Sequence, residues 1–370
     1  MQGACGVAVV CALLFAARLC CSLLPVLQYW SYSLIASRSA PISQFRPRGR
    51  TNGMALLLLL CGFAPGMQVA FADSGVPLTR QRSSMLLSDV GKPERLPSPR
   101  ATLSMTLSPK EAYFSYASKG AAIAAMPTIK ALHTSIHAGM LVGFGGLLAI
   151  TIAAGPPGLD AICRRFIFAA VFPFIMFIIL TAGGQLYTGN TGSVTAAVLE
   201  GYTLPRHLWR ALAIALVGNV IGCVGFAFVA QAAGIIPSFA GELAATYAIK
   251  KLTTVALGTV FLRAIICNWL VCLAILLAGA APDVTGKLLM SYLPIFAFIV
   301  FGLEHSVANA FMLPLGLLGG ASITFTQMFL RNLLPVALGN FVGGAVLIAA
   351  SYSFQYGKLG ECRLGQCQLF

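Results

Sequence analysis

Between residues 132 and 351 the chain is a series of long apolar runs separated by short polar connections, with no sustained alternation of apolar and polar positions. As helices, runs of about 20 apolar residues match the thickness of a bilayer. A membrane barrel would instead need short segments alternating with a period of two. Six spans are read: 132–154, 166–200, 208–233, 252–280, 288–319 and 333–351. An even number leaves both ends of the membrane region on one side. The second span is interrupted by GGQLYTGN at 183–190, and the fifth by the polar pair Glu304 and His305. Each interruption follows 16 apolar residues, 166–181 and 288–303, about 24 Å as helix against a hydrocarbon core of about 30 Å. Both stretches are therefore expected to stop inside the membrane, with half-helices resuming near Thr191 and Ser306.

The two halves of this region match at one offset of 121 residues: Pro173 with Pro294, Gly218 with Gly339, Asn219 with Asn340, and Gly222 with Gly343. A three-span unit used twice in succession inverts its second copy, because an odd number of crossings reverses direction. Inverted repeats with broken spans in matching positions place a transport site where the breaks meet. Unwound backbone at membrane depth is tolerated only beside a cavity or inside protein. Glu304 and His305 fit that setting, since titratable side chains at such depth face a cavity, a partner or a substrate path. The fold class expected is an all-α membrane protein, with six transmembrane helices per protomer in an inverted repeat and the second and fifth helices broken.

Composition agrees: 58% of residues are hydrophobic and 9% charged, far outside the soluble range. The net charge of +14 is uneven, +9 falling in residues 1–130 and +5 in residues 131–370. Most of that excess lies outside the membrane region and points to targeting or membrane-surface chemistry rather than nucleic acid. Eight loop cations on the N-terminal side face five opposite (Arg164, Arg165, Lys250, Lys251 and Arg331). The positive-inside rule then turns both termini toward the cytosol or its equivalent. Eleven cysteines without CxxC spacing form neither a metal-site pattern nor a disulfide framework. His133 and His137 share a face of the first span and read as packing, and Arg263 reads as a structural hydrogen-bonding group near a helix end.

Residues 1–72 contain no Asp or Glu. An apolar stretch at 7–27, a Ser- and Arg-bearing stretch and a second apolar stretch at 54–72 read as a multipart targeting leader, similar to those of proteins sent to plastids bounded by several membranes. Residues 73–127 follow as a linker and pre-membrane segment, with 73–115 mostly disordered. The membrane domain is 128–355, and 356–370 form a short tail.

Five motifs carry a family resemblance: AGMLVGFGG at 138–146, FPFIMFIILTAGGQLYTGNT at 172–191, LRAIICNWLVCLAI at 262–275, GLEHSVANAFMLPLG at 302–316 and NLLPVALGNFVGG at 332–344. In this combination and order the chain resembles the formate/nitrite transporter family. The resemblance implies an aquaporin-like homopentamer with a pore in each protomer. It further implies passage of small monovalent weak-acid anions (formate, nitrite, hydrosulfide or lactate), usually with a proton. By motif, His305 is then the pore histidine with Glu304 beside it; Tyr187, Thr188, Asn190 and Asn309 lie along the path; Phe172, Met176, Leu186 and Phe298 form apolar constrictions. Lys251 fits the vestibule lysine before the fourth span, with Lys119 and Lys130 as rivals for the one before the first. Gln185 stands where family members often have an acidic residue, which alters any relay from that loop to a lysine.

The mechanism this implies is passage of the neutral acid, since desolvating an isolated anion in an apolar constriction is costly. Lysines at the mouths would concentrate the anion. His305 would either exchange the proton or donate a hydrogen bond, and the sequence leaves that choice open. No cofactor, metal or enzymatic role is expected: no nucleophile partner, HExxH spacing or Cys/His ligand set accompanies Glu304 and His305. The alternatives are a facilitative channel for a small neutral solute, against which the absence of NPA motifs argues in the case of water, and lactate or bicarbonate transport. Nitrite is favoured if the leader directs the chain to a plastid envelope membrane, with formate next; without that targeting the plasma membrane is expected.

Overall fold

The structure is a computed structural model that describes residues 106–156 and 158–363. The leader expected at 1–72, most of the linker and the end of the tail lie outside the described residues. All regular structure among the described residues is helical. In chain order the helices are α1 (Pro109–Ala124), α2 (Thr128–Ala154), α3 (Ala161–Ala182), α4 (Tyr187–Leu199), α5 (Pro205–Ala232), α6 (Ser238–Thr253), α7 (Leu257–Ala280), α8 (Val284–Val300), α9 (Ser306–Leu318), α10 (Phe325–Tyr356) and α11 (Lys358–Arg363). Five of them, α2, α3, α5, α7 and α10, are long and apolar enough to cross a membrane, and α8 and α9 are shorter apolar helices. The chain is an integral, multi-pass membrane protein.

The packing repeats. α2 lies along α5 as α7 lies along α10, and α1 packs on α4 as α6 packs on α9. Close approach depends on the paired GNxxG glycines. A Cβ on Gly222 would stand 2.1 Å from Ile136 O of α2, and one on Gly343 2.3 Å from Ile265 O of α7. Small residues of this kind let helix backbones meet inside a bilayer.

Both expected breaks are present, but their helices differ from expectation. α3 begins earlier, because Asp160 Oδ1 accepts from the Cys163 amide at 2.7 Å and caps its start. The resulting 22 residues rise about 33 Å, enough to cross, where 16 would not be. Pro173 interrupts its hydrogen-bond ladder, so that the Ile175 and Met176 amides reach back only three residues. α3 ends at Gly183, whose φ of 82° is one that residues with a Cβ rarely adopt. α4 resumes at Tyr187, four residues before Thr191. α8 ends ahead of Gly302, φ 66°, and α9 begins at Ser306 as expected.

Three helices lie outside the spans read from the sequence: α1, α6 and the short α11, which falls in the segment read as tail. α1 covers the end of the segment read as linker. Its capping box is complete: Ser108 Oγ accepts from the Glu111 amide, Glu111 Oε2 accepts from the Ser108 amide at 2.8 Å, and Pro109 holds the first turn. Arg210 of α5 then donates to Ala124 O and Met126 O, at 3.3 and 2.8 Å, and closes the end of α1. α6 occupies the stretch before α7 and carries Lys250 and Lys251 in its last turn.

Candidate functional site

The breaks are held by two asparagines in repeat-related positions. Asn219 Nδ2 donates to Gln185 O at 2.9 Å and to Ser135 O at 2.8 Å, while its Oδ1 accepts from the Tyr187 amide at 2.8 Å. Asn340 Nδ2 donates to Glu304 O at 3.0 Å and to Ala264 O at 2.8 Å, while its Oδ1 accepts from the Ser306 amide at 2.9 Å. Each carboxamide thus satisfies a carbonyl within a break and the first amide of the helix that follows it, groups that would otherwise be unpaired at membrane depth. Sequence reading marked both asparagines as repeat identities and missed this role.

His305 caps α9. Its Nδ1 accepts from the Ala308 amide at 3.0 Å, and its Nε2 lies 3.1 Å from Thr188 Oγ1 across the break. A ring nitrogen that accepts from a backbone N–H carries no proton, so the tautomer is neutral with the hydrogen on Nε2, donating to Thr188. A proton on Nδ1 would face the Ala308 N–H and the positive end of α9. The ring is buried and stacks on Phe298, with centroids 5.7 Å apart and planes at 17°.

Glu304 turns away from this ring. Its Oε1 pairs with Lys251 Nζ at 2.7 Å, and its Oε2 accepts from Asn309 Nδ2 at 2.7 Å and Asn332 Nδ2 at 3.2 Å. Lys251 is 26% exposed and Glu304 2%. Both line a cavity of about 190 Å³ with Arg165, Tyr247, Lys250, Arg263, Asn309 and His305. Among the described residues neither arginine nor Lys250 has an ion pair or side-chain hydrogen bond. Arg263, read as a structural hydrogen-bonding group, is instead a cation in this cavity; Arg165 and Tyr247 were missed because nothing local marks them.

Phe172 and Phe298 line the same cavity as His305. Met176 and Leu186 line a smaller one of about 30 Å³, with Asn190, Ser193 and Lys119. All four apolar side chains are 5% exposed. A third cavity, about 100 Å³, shares Lys119 and adds Lys287 and Tyr116. Lost hydration in this mouth, and secondarily the charge of Lys287, hold the Lys119 ammonium below the ordinary lysine range. Lys130 is exposed at the start of α2 and lines none of these three cavities. Nor does Tyr187, whose hydroxyl donates to Ala337 O of α10 at 2.9 Å. His133 and His137 are exposed, and no group of three or more metal-ligating side chains occurs among the described residues.

The model of the family described as formate/nitrite transporter matches residues 110–354. A probable formate transporter of Methanothermobacter thermautotrophicus is 40% identical over 250 residues, covering 63% of this chain and 90% of its own length. Among solved structures, an FNT family ion channel superposes with a TM-score of 0.60 at 30% identity, over 66% of this chain and 98% of that one. A pentameric formate channel with formate bound gives a TM-score of 0.55 at 24% identity, over 62% and 97%, a likeness of fold.

Proposed function

We propose, since the chain belongs to the formate/nitrite transporter family, that it carries formate or nitrite across a membrane as the neutral acid, through a pore in each protomer of a homopentamer. It is a transporter and not an enzyme. The observation that supports this reading is the His305–Thr188 hydrogen bond across the breaks, with His305, Phe172 and Phe298 lining the cavity that holds Lys251, Arg165 and Arg263, and Met176 and Leu186 lining a separate small cavity with Lys119.

The steps follow from the residues. The Lys251 cavity collects the anion through its unpaired cations, because the charge of Lys251 itself is largely offset by Glu304. At the Phe172 and Phe298 constriction the anion's hydration is lost, which raises its own basicity, so that it takes a proton from water at the cavity edge. His305 is poorly placed to supply that proton: giving up the Nε2 hydrogen would leave an imidazolate, and adding one to Nδ1 would sacrifice the Ala308 bond. Its part is to donate a hydrogen bond, jointly with Thr188, to an oxygen of the passing acid. Leu186 and Met176 close the other side, and the proton is lost again beyond them. Uptake is thereby coupled to protons without a protonated histidine. The acid-free leader supports delivery to a plastid envelope, where nitrite would be the substrate at hand.

Vesicles containing the full chain test this with labelled formate and nitrite across an imposed pH gradient. Inward flux should rise with an acidic exterior and alkalinise the outside. His305→Phe should stop it, and His305→Asn, which still offers an N–H, should keep a measurable part. Flux that ignores the gradient favours a neutral-solute channel. A His305→Asn variant as inactive as His305→Phe would return the proton-donor role to the histidine.

A further inference from the structure

Met126 lies between α1 and α2, beside the first break. Its main chain is fixed: the amide donates to Ile123 O at 3.1 Å, and the carbonyl accepts from Arg210 Nη2 at 2.8 Å. The residue is half-buried, while Ala125, Pro127 and Thr128 around it are exposed. Gln185, itself buried, donates from Nε2 to the Met126 sulfur at 3.0 Å. A thioether is a weak acceptor, and a carboxylate at 185 could make no such bond because it has no proton to give. The amide that this chain carries there can. Through it the sulfur touches the break: Leu186 is the next residue, and Thr188, the partner of His305, stands two beyond that. The other methionines among the described residues are placed differently. Met140 and Met290 are exposed but lie inside the apolar helices α2 and α8, and Met176, Met312 and Met328 are buried.

We infer that Met126 is an oxidation site through which a peroxide closes the pore reversibly. One oxygen passes to the sulfur: the O–O bond breaks, an S–O bond forms, the thioether is oxidised by two electrons to the sulfoxide, and hydrogen peroxide is reduced to water. A strong acceptor now stands where a weak one stood, and it lacks room. Nε2 already sits 3.0 Å from the sulfur, and a hydrogen bond to an interposed oxygen spans about 2.7–3.2 Å by itself. Gln185 therefore backs away from Met126, whose main chain Ile123 and Arg210 hold in place. The Gln185 amide makes only a long bond, 3.4 Å to Thr134 O, and its carbonyl rests on Asn219, the clamp that also holds the Tyr187 amide. A shift at 185 is thus passed to Leu186 and to the start of α4, and it draws Thr188 from its 3.1 Å contact with His305. A reductase that takes the sulfoxide oxygen off as water, two thiols becoming a disulfide, restores the contact and the flux. The loss of flux rests on the transport reading above; the site itself rests on the contact of the sulfur with the break.

The test uses the full chain in lipid vesicles treated with hydrogen peroxide. Peptide mass spectrometry reads the added oxygen at each methionine, and labelled formate or nitrite reads flux. Sulfoxide at Met126 should form ahead of the other described methionines, flux should fall severalfold in step with it, and methionine sulfoxide reductases should restore both. Met126→Leu, of similar volume, should transport before treatment and ignore peroxide. A readout free of substrate is hydrogen exchange at the Gln185 and Tyr187 amides, which should speed on oxidation in the parent and stay constant in Met126→Leu. Flux that is unchanged or raised with Met126 fully oxidised overturns the switch. So does an equal fall in Met126→Leu, or a Met126 that stays a thioether while Met140 and Met290 react. A parent that carries neither anion would fail the transport reading, and the exchange measurement would still decide the role of Met126.

Discussion

Lys251 shows how one contact changes a residue's meaning. By motif it is the lysine that gathers anions, yet its ammonium is 2.7 Å from a carboxylate that is 2% exposed. Its first duty is to neutralise Glu304. Lys251→Met should destabilise the protein by about 3 kcal/mol, because it strands a buried charge, and adding Glu304→Gln should recover most of the loss. Thermal unfolding in detergent would show this, and additive losses would mean that the pair is not coupled. On the proposed reading, anion capture then falls to Arg165, Lys250 and Arg263, which line the same cavity. Replacing either arginine by glutamine should raise the half-saturating formate concentration about two- to fivefold, the size of one charge acting through water at short range, with little change in maximal rate. On the opposite side Lys119 titrates earlier than an ordinary lysine. Below its lowered pKa it is charged and attracts the anion; as pH rises through that value the attraction is lost. Apparent affinity measured from that side should fall at alkaline pH, and Lys119→Arg, which stays charged, should remove the fall. None of this is legible locally, since Lys251 and Glu304, or Arg165 and Arg263, meet only when distant helices pack.

At the scale of elements, the breaks were legible and their supports were not. Glycine- and polar-bearing interruptions inside apolar runs announce unwound backbone, and GNxxG announces the repeat. What a string of letters cannot say is that Asn219 and Asn340 reach from the closing helix of each half to the break of the same half. Asn219→Ala and Asn340→Ala should each cost about 2–4 kcal/mol, for a carbonyl and an amide left unpaired away from water. Asn340→Ala should reduce flux beyond its stability loss more than Asn219→Ala, because Ser306, which Asn340 holds, directly follows His305, whereas Asn219 holds Tyr187, which precedes the partner hydroxyl of Thr188. Unfolding midpoints and vesicle flux measured on both variants would separate the two effects, and equal flux losses would mean that both clamps act through stability alone. Helix α1 escaped the reading for a different reason. It is too short and too polar to register as a span, and the signal that could have found it, the spacing of Ser108 and Glu111 that a capping box needs, went unread.

For the whole molecule, the apolar periodicity gave the spans, but nothing along the chain reveals which single group ties the ends of the described region together. That group is Glu200, read only as the last residue of the second span. Its carboxylate is 3% exposed. Oε1 accepts from Tyr113 of α1 at 2.7 Å and from Ser353 of α10 at 2.5 Å, and Oε2 accepts from the Lys358 amide at the start of α11 at 3.2 Å. One side chain at the end of α4 therefore fixes the first described helix, the last span and the segment after it. The fit is tight, since a Cβ on Gly357 would lie 2.2 Å from Oε1. Glu200→Ala leaves two buried hydroxyls and an amide without their acceptor, so a loss of about 2–4 kcal/mol is expected. Because those partners lie at the edge of the helical assembly, the damage should begin locally. Limited proteolysis of the variant should cut after Tyr356 well below the temperature at which the spans unfold, and Gly357→Ala should reproduce that cleavage by displacing the carboxylate. If both variants resist protease as the parent does and lose only global stability, Glu200 supports α4 alone, and α1 and α11 are held by apolar packing against it.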